Sequence, residues 1–321
     1  MHPTAIAHKP GEIMELATNF VFQPLDNDEG PAPTAVAAAQ GLGPLAGLAG
    51  NWSGQGFNAI WRPHRGASDH FLELNVTSDQ IDLAVINGNI PNRGLVQANI
   101  FMHGMTYLQQ ISDANVQVSG APAGLHIEPG VWINVPLTTD PKEPATIARL
   151  ASIPHGTTIL LQGTATTATG GPSIPAASLT PFSIGNRHQT VDFDEQHLNR
   201  NTQFRTSGVG LTGITQAMLN NPNSVLTGNP PSVTTTTTLH VSSTAGTAAG
   251  SIVGGGMANS AFLVGTKDGP NADAAHAAAT FWLQTLAGDT EPKRLQYSQT
   301  VLLNFAGLSW PHITVATLTK A

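Results

Sequence analysis

Between Phe71 and Val76 the chain alternates strictly: Phe71, Glu73 and Asn75 point one way, Leu72, Leu74 and Val76 the other. A period of two is the mark of a strand with two different faces. The pattern returns over Leu125–Val135, where Leu125, Ile127, Val131, Ile133 and Val135 share one parity if Pro129-Gly130 does not insert a bulge. Only 10% of the 321 residues are charged, against roughly 25% in ordinary globular domains. The surface must then be built from Thr, Ser, Asn, Gln and Gly, which suits strands and turns better than exposed helices. The chain is therefore expected to be mainly β, an antiparallel barrel, enlarged and carrying short covering helices.

Further strands are predicted from Leu48 to Pro63, over Ile81–Ile86, Leu95–Met105, Thr106–Ile111, Thr146–Ile153, Thr157–Gln162, Ser232–Ser243, Leu295–Phe305 and Ser309–Leu318. Residues 1–45 read as an N-terminal extension with an Ala/Pro/Gly-rich linker, and 46–321 as one large barrel. Gly163–Pro175 reads as a loop, Gly213–Leu219 as a short helix, and the Ala-rich start of Asn271–Leu286 as a second helix. Local likenesses such as Tyr107-Leu108-Gln109 and Tyr297-Ser298-Gln299 fit either a decayed duplication, about 46–162 and 163–321, or chance similarity between two meanders.

Composition narrows the partners. Thirteen basic against twenty acidic residues give a net charge of −7. With no Lys/Arg cluster, neither a nucleic acid nor an acidic membrane surface is expected as a partner. The absence of cysteine removes disulfides, zinc-thiolate sites, iron–sulfur clusters and a thiol nucleophile. Met1-His2-Pro3-Thr4 does not open a secretory leader, and no apolar run reaches ~20 residues, so a cytoplasmic protein is expected.

The segment Gly50-Asn51-Trp52-Ser53-Gly54-Gln55-Gly56-Phe57 resembles the Gly-x-Trp first strand of lipocalin-like (calycin) barrels. It is similar in particular to the Gly-x-Trp-x-Gly-x-Gly opening of nitrobindin-like haem-binding barrels. The resemblance covers about fifteen residues of the chain. It implies that Trp52 closes the barrel base against a basic residue, for which Arg62 is the candidate. It also implies a haem ligand on a late strand, where His312 in Ser309-Trp310-Pro311-His312-Ile313 is the nearest equivalent.

Chemistry elsewhere is sparse. His126 and Glu128, two apart, lie on one face of a strand, so the carboxylate can orient the imidazole. His155 sits at the turn Ile153-Pro154-His155-Gly156, where functional side chains gather. No Gly-x-Ser-x-Gly elbow, phosphate loop or His-x-His metal pattern is present, and no metal ligand is assigned. The favoured function is encapsulation of a small apolar molecule. Trp61, Tyr107, Trp132, Trp282 and Trp310 are the candidate wall, and His103, Gln109, His126, Glu128 and His155 the polar groups. The alternative is a barrel enzyme in which His126, Glu128 and His155 act as acid and base, or in which a histidine holds haem or a metal. A structural barrel with a filled interior, forming a homo-oligomer, is the third reading.

Overall fold

A computed structural model describes residues 41–321 apart from 66–68, 93, 96–97, 141, 207–210, 245–254, 261–262 and 264–270. Residues 1–40, and with them most of the expected extension, lie outside the described residues. The chain forms a closed, ten-stranded antiparallel barrel. Its strands are β1 (Gly50–Pro63), β2 (His70–Val85), β3 (Ile100–Val118), β4 (Ala121–Val135), β5 (Thr146–Ser152), β6 (Thr157–Thr169), β7 (Val233–Ser242), β8 (Asp273–Leu286), β9 (Arg294–Phe305) and β10 (Leu308–Lys320). Each pairs with the next in sequence, and β10 returns to β1 over Trp52↔Lys320 to Ile60↔His312. Among the described residues, no helix is long and apolar enough to cross a membrane.

Closure depends on glycine in β1. A Cβ at Gly54 would lie 2.1 Å from the Thr317 carbonyl oxygen, and one at Gly56 2.2 Å from that of Val315. Below these positions the short 3-10 helix Gly43–Leu48 plugs the barrel base with Leu45 and Leu48. Trp52 is fully buried there and donates its indole N–H to the Leu48 carbonyl at 2.8 Å. The expectation of a basic partner is met by a different residue. Lys320, at the end of β10, places its ammonium 5.4 Å from the Trp52 ring centre. Arg62 instead pairs with Glu73 at 2.9 Å and lies over Phe71. The exchange follows from the antiparallel register, which sets the C-terminal end of β10 opposite Trp52, while Arg62 is ten residues up the wall.

Three local expectations are corrected. The Ala-rich segment is strand β8 throughout, because Ala274, Ala277 and Ala279 point into the barrel, and pairing with β7 and β9 outweighs alanine's weak helical preference. The polar loop expected after Gly163 is strand as far as Thr169, paired with the Thr-rich β7. The two strands expected over Leu95–Ile111 are the single β3, which starts at Ile100. Pro129-Gly130 carries no bulge, since the β3–β4 register runs unbroken from Ile111↔His126 to His103↔Asn134.

The long connection between β6 and β7 does not hang free. It holds the helix Gln216–Asn220 and the turn Pro222–Leu226, and it lies against the outer wall of β1, β9 and β10. The covering elements expected near 213–220 and 271–280 are thus a side layer and a barrel strand, not a lid over one end. The wall has apolar residues on both faces. Inside is one core; outside, Phe57, Trp61, Trp310, Ile313 and Val315 form a second with Leu179, Leu219 and Leu226 from the side layer.

Candidate functional site

Strand parity decides which side chains enter the barrel. On β4 the inward residues are His126, Glu128, Gly130 and Trp132; on β3 they are Met105, Tyr107, Gln109 and Ile111. The most polar parity of β4 therefore faces inward, while Ile127, Val131, Ile133 and Val135 face out. Gly130 is required by its neighbour: a Cβ there would meet the Tyr107 ring at 2.6 Å. The glycine lets Tyr107 lie across β4 and reach Glu128.

Glu128 is the centre of a buried network. Its Oε1 accepts a hydrogen bond from Tyr107 and another, at 2.5 Å, from Arg149 Nη2. Its Oε2 lies 3.2 Å from His126 Nε2. Arg149 also donates to Tyr107 Oη (2.9 Å), Gln299 Oε1 (2.6 Å) and Gln109 Oε1 (3.5 Å). Its guanidinium is enclosed by the rings of Tyr107, Trp132 and Phe281 at 5.2–5.8 Å. Gln109 Nε2 donates to Tyr297 Oη at 3.0 Å, and Tyr297 donates to Asp79. Burial pushes the Glu128 carboxyl up, but the adjacent guanidinium outweighs this and, with His126 and Tyr107, holds it down at about 2. Burial also dominates at Asp79, where the Tyr297 and Thr77 hydroxyls and His126 oppose it too weakly, and its carboxyl rises to about 6.

Beside this network lies a cavity of about 290 Å3. Its apolar lining includes Ile60, Ile111, Ile153, Val301 and Leu303, and its polar lining includes His126, His155, His312, Gln109 and Gln299. Gln109, Tyr297 and Gln299 belong to both, so the network forms part of the cavity wall. The His126 and His155 rings meet edge to face at 5.0 Å. Burial lowers the basicity of His155, and the neighbouring His126 lowers it further. His312 is pushed down to about 3 by burial, then by His126 and His155, so it is neutral at ordinary pH. Its Nε2 lies 3.2 Å from Asn58 Oδ1, which also accepts from the Thr314 hydroxyl at 2.8 Å. Asn58 donates to Asn75 Oδ1, and Asn75 donates to Asp113.

The candidate residues thus separate. His126, His155, His312 and Gln109 line the cavity, and Glu128 stands behind His126. Tyr107 and Trp132 point inward but pack around Arg149. Trp61, Trp282 and Trp310 are not cavity wall: they belong to the outer core, with Trp61 donating to the Leu179 carbonyl at 2.8 Å. His103 packs against Gly41 beside the basal helix. The aromatic wall is corrected to an aliphatic one, because indoles on the outer parity are buried by the side layer instead. Arg149, Asp79, Gln299, Asn58 and Thr314 were not singled out by the sequence. Arg149 carried one signal, a charge on the same parity as Ile147 and Ala151 in a short apolar strand.

The described side chains do not fit haem. About 290 Å3 lies at the lower edge of the ~300–1,000 Å3 of drug-sized ligand pockets, too little for a haem macrocycle. Among the described residues, no group of three or more His, Cys, Asp or Glu is arranged to hold a metal ion. No family model matches the chain, and no curated protein matches it.

Proposed function

We propose that the barrel binds one small, uncharged, mainly apolar molecule in the cavity between β1, β3, β4, β9 and β10. The observation that carries this reading is the cavity of about 290 Å3 on the inner face of the barrel wall. Protein interiors close-pack, and voids larger than a water are few. Moving apolar ligand surface from water into such a site contributes about 25 cal/mol per Å2 before association costs. Uncharged ligands are favoured because the only fully buried cation near the cavity, among the described residues, is Arg149, and Glu128 already neutralises it.

Titration with an uncharged environment-sensitive dye such as N-phenyl-1-naphthylamine tests the reading. Saturable one-to-one enhancement is expected for the parent protein. Val301→Trp, which fills the cavity, should weaken it at least tenfold while the protein stays folded. Undiminished binding in that variant would place the dye elsewhere.

The enzyme reading has one observation in its favour. Glu128 holds His126 by one ring nitrogen, as a general base is held. Release of a chromophore from uncharged esters, lost in His126→Gln, would establish it.

A further inference from the structure

The cavity's polar groups have a fixed polarity, and it selects among ligands. Asp113 anchors one chain of bonds: its Oδ1 accepts the backbone N–H groups of Asn115 and Val116 at 2.7 and 3.1 Å, and its Oδ2 accepts from Asn75 Nδ2 at 2.8 Å. Asn75 must then present its oxygen to Asn58 Nδ2, and Asn58 its oxygen to His312. Only an N–H can face that oxygen, so His312 is protonated on Nε2 and carries a lone pair on Nδ1. The same logic holds at His126. The Glu128 carboxylate accepts from Nε2, so in the neutral ring the lone pair is on Nδ1. Both residues line the cavity, and neither Nδ1 has a protein partner among the described residues. Gln299 shows the opposite polarity: its oxygen is taken by Arg149, so its amide N–H2 is the end left to bond.

We propose that the site recognises a hydroxyl group on an apolar body, an alcohol or phenol that donates to a histidine Nδ1 and accepts from the Gln299 amide. This rests on the ligand-binding reading above and names the ligand class for the same cavity. A carbonyl or ether satisfies Gln299 but leaves the imidazole lone pairs facing apolar surface. A carboxylate brings its own lone pairs against them. A site that hydrogen-bonds a hydroxyl discriminates strongly against analogues lacking it, since its buried polar groups are left unpaired.

The test is competition of 2-naphthol, 2-methoxynaphthalene and 2-naphthoate against the dye, with 15N spectroscopy of the histidine rings in the ligand-free protein. We expect 2-naphthol to bind at least tenfold more tightly than the other two. We expect His312 to show the Nε2–H tautomer from pH 6 to 8. The double variant His126→Phe/His312→Phe should lose the naphthol preference while still taking up 2-methoxynaphthalene. If all three naphthalenes bind the parent equally, or the methyl ether binds best, the hydroxyl preference is wrong and the binding function survives. His312 found as Nδ1–H overturns it as well. If no naphthalene and no dye binds, the binding function falls and this inference with it.

Discussion

On the outer face of β1, Trp61 is in ring contact with Trp310 at 5.2 Å and with Phe193 at 5.6 Å, and the space is filled. On the inner face, the adjacent Ile60 and Arg62 border a cavity that aliphatic and polar groups leave unfilled. The aromatic residues thus went to packing, and the inner face kept hydrogen-bonding groups with assigned partners. On the outer face of β1 and β10 the rings of Trp61 and Trp310 mark where the side layer is fastened, and on the inner face His312 borders the cavity.

Breaking the inner network should cost most. Glu128→Ala leaves Arg149 charged, buried and unpaired, which costs about 3–5 kcal/mol, whereas replacing both residues with apolar ones of similar volume should cost far less. Urea denaturation of the single and double variants measures this. If the single variant loses under about 1 kcal/mol, Arg149 is not the buried charge described.

The outer core gives the complementary case. Trp61→Ala should destabilise by about 3–5 kcal/mol, as for other buried aromatics, yet leave dye affinity at the parent level in conditions where the protein is folded. Weakened binding with intact folding would show that the side layer and the cavity are coupled. Trp52→Ala, at the base, should cost about as much for the same reason.

The smallest effect is pH-dependent. The Asp79 carboxyl rises in the folded state from 3.8 to about 6, so the folded protein binds the extra proton between those values, and stability falls as pH rises through that window. His312 acts oppositely. Its folded value of about 3 lies below the ordinary 6.5, so its contribution is complete above 6.5 and is lost as pH falls towards 3. The two offset each other between about pH 4 and 6. Asp79→Asn should stabilise the protein at pH 8 by up to about 3 kcal/mol, should show no such gain near pH 4, and should steepen the loss between pH 6.5 and 4. A gain independent of pH would remove Asp79 as the titrating group.

Much of the barrel was legible because its signal is local. Alternation over Phe71–Val76 and the glycines of β1 each report on neighbours two residues apart, and the His126–Glu128 contact has the same range. What was hidden depends on distant partners. Asp79 meets Tyr297, and Gln109 meets Tyr297, across more than 180 residues of sequence. The parity was read correctly from Ile127 to Val135, while Leu125 lines the cavity beside His126 at a register shift; apolar residues occupy both faces of this wall, so hydrophobicity does not say which is inward. Trp61 was misplaced for that reason. The Ala run of β8 shows the other limit: its composition favours a helix, and only the neighbouring strands reveal otherwise.

The Trp52–Lys320 contact has a consequence for how the molecule is made. Trp52 is synthesised well before its strand partner Lys320, with the other eight strands of the barrel between their two strands. The seam between β1 and β10 is therefore the longest-range pairing in the barrel, and its closing entropy must be met before it gains anything in return. Until then β1 has one edge bare, a template for any other extended chain.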